Sequence, residues 1–290
     1  MSERLEEIFK LPKDTPPKAL YHYTSREGLL GILKERAIWA TDIMCLNDSM
    51  EFTYAVEIAR PLALEMINNC TDEQEKNGYR MISSLLEERN IGQFRSYIVS
   101  FSEEGDLLSQ WRGYTRAGDG YAIEFNPDIL EQLIRTNILE NKEFYLAKCR
   151  YVLNEQKKIV EEVLENARKI SKTEVEAGIP IYAAIVKNFL IPFLFIAPLI
   201  KHPTFKQEQE WRLIAFLADA TNILQFKPGK SMLIPYISFK FDETGLPFNK
   251  IILGPNPHPE LNRRVVLELL DKYGATNAVC TSSSIPYRDW

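Results

Sequence analysis

Ala19-Leu20-Tyr21-His22-Tyr23-Thr24-Ser25, followed by Arg26-Glu27-Gly28-Leu29-Leu30-Gly31-Ile32-Leu33, is where the chain declares its architecture. Residues Ala19 to Tyr23 read as a short strand. Ser25 then fits a helix N-cap, and Leu29, Ile32, Leu33 and Ala37 recur at helical spacing. A strand running straight into an amphipathic helix, with Ile38 to Thr41 as the next strand, is the start of a mixed α/β fold. Ahead of it, residues 1–18 read as a tail broken by Pro12, Pro16 and Pro17.

Outward from this unit, helices are expected over about Met50 to Asn69 and from a capping-box-like Thr71-Asp72-Glu73-Gln74 to about Arg89. Arg95 to Ser102 alternates like a strand, Asp106 to Tyr114 reads as a short helix, and Tyr121 to Phe125 as a strand. A helix near Pro127 and a strand over Phe144 to Val152 follow. Asn154 to Ser171 is amphipathic, with Val160, Val163, Leu164 and Ala167 on one face. The C-terminal part is richer in strands: Glu208 to Leu217, Met232 to Phe241, Lys250 to Leu253 and Ala278 to Thr281, with a helix from about Glu260 to Tyr273. Strands bracket a helical block. The expected fold is therefore one α+β domain over 19–290 with a helical insertion at about 154–200.

Composition narrows the function. The chain has 290 residues, 45% hydrophobic and 26% charged, which suits a globular protein with a substantial core. Its net charge of -5 disfavours sequence-independent DNA coating, which depends on basic residues releasing counterions. Cys45, Cys70, Cys149 and Cys280 lie far apart without a CxxC pair, as in a reducing compartment. The charged Met1 to Lys13 segment has no apolar core of a signal peptide, so a cytoplasmic location is expected. Ile179 to Ile200 is the most apolar stretch, but Lys187, Asn188 and three prolines interrupt it. It reads as a buried helix pair rather than a membrane span. His22, His202 and His258 show no zinc spacing, so no metal site is expected, and Walker A, GxGxxG and GxSxG motifs are absent.

Four groups of residues can carry chemistry. His22 sits on the first strand; its bland alternative is a packed histidine satisfied by backbone. Ser100 and Ser102 share a strand face, and Trp111 and Tyr114 share a helix face. These four can form a hydroxyl-and-aromatic pocket for a flat heteroaromatic ring, or simply be core aromatics. Glu208, Glu210 and Arg212 fall on one face of an extended strand while Trp211 faces the other. Such a carboxylate can steady positive charge developing on a sugar, or pair with Arg212 on a solvated face. Ser282-Ser283-Ser284-Ile285-Pro286-Tyr287-Arg288 can bring hydroxyls and a guanidinium to a phosphate, or form a capped tail. A basic lip from Lys201, His202, Lys206 and Arg212 is also expected.

Taken together, the first three groups resemble the ADP-ribosyltransferase superfamily. His22 with Thr24, Ser25 and Gly31-Ile32-Leu33 resembles its first strand and helix. Ser100-Phe101-Ser102 resembles its serine-bearing strand, and Glu208-Gln209-Glu210 its late glutamate motif. The chain also resembles a bacterial family of uncharacterised proteins through Tyr21-His22-Tyr23-Thr24, Leu46-Asn47-Asp48 with Glu51, Glu210-Trp211-Arg212 and Ile285-Pro286-Tyr287-Arg288.

The first resemblance implies two packed, largely antiparallel sheets with NAD, as substrate, in the cleft between them. It implies that His22 binds the adenosine ribose and that the backbone at Tyr23, beside Thr24, meets the nicotinamide amide. Ser100 or Ser102 would lie next to that amide, with Tyr114 or Trp111 stacked on the ring. Glu210 would hold the 2′-hydroxyl of the nicotinamide ribose, and Glu208 would guide the acceptor. The implied activity is NAD-dependent ADP-ribosyl transfer or NAD hydrolysis, as in a bacterial toxin or defence effector. The acceptor is left open among protein, nucleic acid, small molecule and water. The alternatives are a nucleotide-sensing module without turnover and an interaction protein.

Overall fold

The computed structural model describes residues 14–46, 50–87, 95–114, 120–138, 143–216, 223–229, 231–241 and 245–286. Ten strands and nine α-helices are described, an α+β arrangement around one sheet. The strands are β1 (Leu20–Ser25), β2 (Ala37–Asp42), β3 (Tyr97–Ser102), β4 (Gly120–Phe125) and β5 (Glu143–Lys148). After them come β6 (Glu210–Phe216), β7 (Gln225–Pro228), β8 (Leu233–Lys240), β9 (Phe248–Leu253) and β10 (Val279–Ser282). The opening helix α1 (Arg26–Glu35) is capped by Ser25, whose side chain accepts from Gly28 N, as its sequence demands.

The expected pair of packed sheets is instead one hydrogen-bonded sheet, ordered β10-β9-β4-β1-β3-β2-β8-β7, with β6 and β5 branching from β3. Among the described strand pairs only β9–β10 is parallel. The branch has a simple cause. One edge of β3 pairs with β6 along its whole length, Tyr97↔Ala215 to Ser102↔Glu210. The other edge is shared: β1 meets it at Tyr21↔Ser102, and β2 meets it at Thr41↔Ile98 and Asp42↔Tyr97. Between those points Val99, Ser100 and Phe101 have no strand beside them on that edge, so the sheet forks.

Strand periodicity splits the core in two. Tyr97, Val99, Phe101, Trp211, Leu213 and Ala215 face a cluster that also holds Leu29, Ile32 and Leu33 of α1. Ile98 and Ile214 face the opposite cluster. That cluster is built from α2 (Met50–Asn69), α3 (Glu73–Leu85) and, after α4 (Leu108–Tyr114) and α5 (Pro127–Ile138), the later helices α6 (Leu153–Glu176), α7 (Ile181–Ile185) and α8 (Ile191–Ile196). The expected helical insertion is thus the second layer on the sheet. Val160, Val163, Leu164 and Ala167 point into it. Ile181–Leu199 is long and apolar enough to cross a membrane, but 61% of it is buried inside the protein. Phe189, Phe193, Phe195 and Ile196 are fully enclosed there.

The described end of the expected tail, residues 14–18, is tied to the fold at Asp14. Asp14 takes two bonds from Arg150 (2.7 and 2.9 Å) and one from Lys148 N (3.1 Å). Asn47 and Asp48 lie outside the described residues, as do Tyr287 and Arg288.

Candidate functional site

A cavity of about 630 Å³ opens at the fork of the sheet. That is within the roughly 300–1,000 Å³ of ordinary small-molecule sites. His22, Ser100, Tyr114, Glu208, Glu210 and Lys227 are among its lining residues. Positions from His22 on β1 to Lys227 on β7 therefore meet in one place.

His22 closes the gap left by the missing strand. Its Nδ1 lies 2.9 Å from the Ser100 carbonyl oxygen. A carbonyl only accepts, so Nδ1 carries the hydrogen and Nε2 is left as an acceptor. Burial pushes the imidazole pKa down to about 4, the Lys227 charge adding to the effect and the Ser100 bond opposing it. His22 is therefore neutral at physiological pH. Its ring also packs edge-on against Phe101 at 5.9 Å.

Glu210 is the first residue of β6, and alternation turns it away from buried Trp211. Its carboxylate accepts from Arg212 Nε (2.8 Å) and Nη2 (3.1 Å) and from Lys201 Nζ (2.5 Å). Burial raises a carboxyl pKa, but here the Arg212 and Lys201 charges outweigh it and hold Glu210 down to about 2. Glu210 N donates to the Tyr151 hydroxyl (3.0 Å), which fixes the strand end.

Glu208 is not on that strand. It ends a 3₁₀ turn, Pro203–Glu208, and Gln209 follows with φ 43°, a left-handed conformation that a non-glycine residue adopts at a cost of order 1 kcal/mol. This reversal folds Glu208 back so that its carboxylate also pairs with Lys201. The two glutamates thus share one buried ammonium, and the extended Glu208–Arg212 stretch expected from sequence is corrected at its first residues.

Lys201 and Arg212 are both buried, so the expected basic lip does not form from them. Lys201 is carried by the end of the helical block. Its backbone N donates to Arg150 O (3.0 Å), and its carbonyl accepts from buried Gln156 (2.8 Å).

The serines differ. Ser102 Oγ donates to Glu208 O (2.8 Å) and accepts from Glu104 N (3.1 Å), so it holds the turn in place. Ser100 lines the cavity, and its carbonyl is taken by His22.

The aromatics differ too. Trp111 and Tyr114 both lie on α4 (Leu108–Tyr114), but Trp111 is buried against Tyr23 at 4.7 Å, donates to Asp106 (2.8 Å) and does not line the cavity. Stacking by Trp111 is thereby corrected; Tyr114 alone of the pair reaches the site. Although Tyr114 is 39% exposed as a whole, desolvation of its hydroxyl in the cavity, and next the Glu210 charge, push that group's pKa up.

Tyr23 lines the cavity while its hydroxyl turns away to Glu104 O (2.8 Å) and Leu107 N (3.0 Å). Thr24 lines it as well, and Gly28 gives its hydroxyl room: a Cβ there would stand 2.0 Å from Thr24 Oγ1 and force that side chain to turn. The C-terminal serines serve elsewhere: Ser283 Oγ and Ser284 Oγ both bind Asp106 (2.5 and 2.9 Å).

Sequence reasoning missed Lys201 as a buried partner and passed over Lys227 entirely. The only signal for Lys201 is its position directly after the apolar block; nothing local marks Lys227. Residues 110–213 match a family described as a protein of unknown function (DUF2971). That span covers Tyr114, Lys201, Glu208, Glu210 and Arg212, but not His22, Ser100 or Lys227. No curated protein and no solved structure matches the chain.

Proposed function

We propose that the cavity binds NAD and cleaves the bond between nicotinamide and its ribose, passing ADP-ribose to an acceptor or to water. The observation that carries this reading is the meeting of His22, Tyr114 and Glu210 in one cavity at the fork of the sheet. Each matches a need of that chemistry. Neutral His22, with Nε2 as acceptor, suits a ribose hydroxyl. Tyr114 supplies a ring for the nicotinamide. Glu210 stays ionised at any working pH and is fixed by Arg212 and Lys201, so it needs no reorganisation when charge develops.

The electron bookkeeping closes. The C1′–N bond breaks, and its electron pair goes to the pyridinium nitrogen, which leaves as neutral nicotinamide. The sugar passes through an oxocarbenium-like state, stabilised by a carboxylate that accepts from the 2′-hydroxyl. The acceptor then bonds to C1′ and loses its proton. A carboxylate offers about four acceptor positions. The bonds from Arg212 and Lys201 occupy three of them, so one is left for the hydroxyl.

One observation favours the second reading, a binding module without turnover. Glu210 and Glu208 face Lys201 and Arg212, so the four charges sum to zero. A neutralised carboxylate steadies a cation less than a lone one does. Incubation of the full chain with NAD, following free nicotinamide and thermal stability together, separates the readings. Turnover gives nicotinamide. A binding module gives stabilisation alone, about 2.7 kcal/mol at 100 times the dissociation constant. Neither response means the cavity is not a dinucleotide site.

A further inference from the structure

Lys227 lies on the edge strand β7 and reaches into the cavity beside Thr41 and Trp39. Its ammonium donates to Thr41 Oγ1 at 2.9 Å. It stands over the Trp39 ring (5.3 Å) and the Tyr236 ring (5.8 Å). Those two rings pack together at 4.9 Å. Trp39 is itself fixed: its Nε1 donates to Glu35 (2.7 Å), and Gly31 lets α1 lie directly on the indole. The lysine is held by a hydroxyl and two π-faces, with no carboxylate in ion-pair range among the described residues.

That setting is unusual for a half-buried ammonium. Removing such a charge from water is costly unless an anion or several strong acceptors replace the water. Two ring faces hold the cation in place but do not neutralise it. Burial is the cause that pushes the Lys227 pKa down. The ammonium has three N–H donors, and Thr41 takes one. Lys201, buried behind the lining residues Glu208 and Glu210, has two carboxylates of its own. An incoming anion therefore finds its partner at Lys227.

We propose that Lys227 and Thr41, backed by Trp39 and Tyr236, form a phosphate-binding subsite that holds the pyrophosphate of a dinucleotide. The proposal rests on the reading of the cavity as a dinucleotide site, and it names which part of the ligand lies at the β2–β7 end. A pyrophosphate there places the ligand's permanent negative charge away from Glu208 and Glu210; the acid beside Trp39 at this end, Glu35, is engaged by Trp39 Nε1 and is not in ion-pair range of Lys227. Lys227 is a binding residue; the bond-breaking step does not pass through it.

The test uses the full chain and calorimetric titration with inorganic pyrophosphate, NAD and nicotinamide riboside. Loss of one charge-assisted contact costs about 1.5–3 kcal/mol, so Lys227→Met should weaken pyrophosphate and NAD about tenfold to a hundredfold. Nicotinamide riboside, which has no phosphate, should change by less than about twofold. Lys227→Arg keeps the charge and should retain pyrophosphate binding. The subsite is overturned if the wild-type chain does not bind pyrophosphate, if Lys227→Met leaves its affinity unchanged, or if the methionine and arginine variants lose it equally. If NAD fails to bind while pyrophosphate binds in a Lys227-dependent way, the dinucleotide reading fails and the anion subsite stands.

Discussion

Two lysines serve the cavity in opposite surroundings, Lys227 on its lining and Lys201 behind the lining residues Glu208 and Glu210. At the β6 end, Lys201 is buried with Glu208, Glu210 and Arg212 in a cluster that neutralises itself. At the β7 end, Lys227 stands on two aromatic rings with a single hydroxyl beside it. The first arrangement fixes a carboxylate and keeps it ionised; the second leaves a positive charge for a ligand to answer. One end is built to hold its own groups in place, and the other to receive something charged.

Breaking each end should cost stability very differently. Lys201→Met removes the ammonium that Glu208 and Glu210 share. Removing one member of a buried ion cluster costs about 3–5 kcal/mol, read as a large drop in urea midpoint. Lys227→Met deletes a cation without orphaning a carboxylate; it loses ring contacts worth about 1 kcal/mol but also relieves the burial of an unpaired charge, so the net change should stay within about 1 kcal/mol. Equal losses at the two sites would erase the contrast.

The pH dependence sharpens it further. His22 titrates near 4 in the folded protein, against 6.5 for an ordinary histidine. The unfolded chain therefore binds the extra proton first as pH falls. Stability is complete above about 6.5 and declines between 6.5 and 4, by roughly 3 kcal/mol in all. Glu210, held near 2 rather than 4.5, contributes stability above 4.5 that is lost as pH falls from there towards 2. Chemical denaturation at a series of pH values should show these two windows, and His22→Asn should remove only the upper one. Because the Lys227 charge helps to lower the His22 pKa, Lys227→Met should raise it, a smaller effect visible by NMR titration of the imidazole.

Much of this site was legible in the chain because strands advertise themselves by period. His22 on β1, Ser100 on β3 and Glu210 on β6 fell where alternation placed them, and Ser25 capped α1 as its side chain requires. The fork in the sheet was not legible, since it depends on where β1 and β2 end against β3, a matter of register that no single strand encodes. The turn at Gln209 was hidden as well: Glu-Gln-Glu reads as extended, and its left-handed φ is imposed by the surroundings. Trp111 and Tyr114, three apart on a short helix, still differ enough in direction that one enters the core and the other the cavity. Strand β7 escaped notice because it has four residues and ends at Pro228, features of an edge strand with little pattern to read. Lys227 went with it.

In the proposed reaction the Glu210 carboxylate drives loss of nicotinamide from NAD in this cavity. Nicotinamide release at saturating NAD, measured for the wild-type chain and for Glu210→Gln, tests it most directly. The variant keeps the size of the side chain and removes its charge, so its NAD affinity should change little while release falls by about a hundredfold or more. Its melting temperature, measured alongside, should drop because Lys201 and Arg212 lose a shared anion, yet the transition should stay cooperative. Release from the wild-type chain that persists undiminished in a folded Glu210→Gln would contradict the claim.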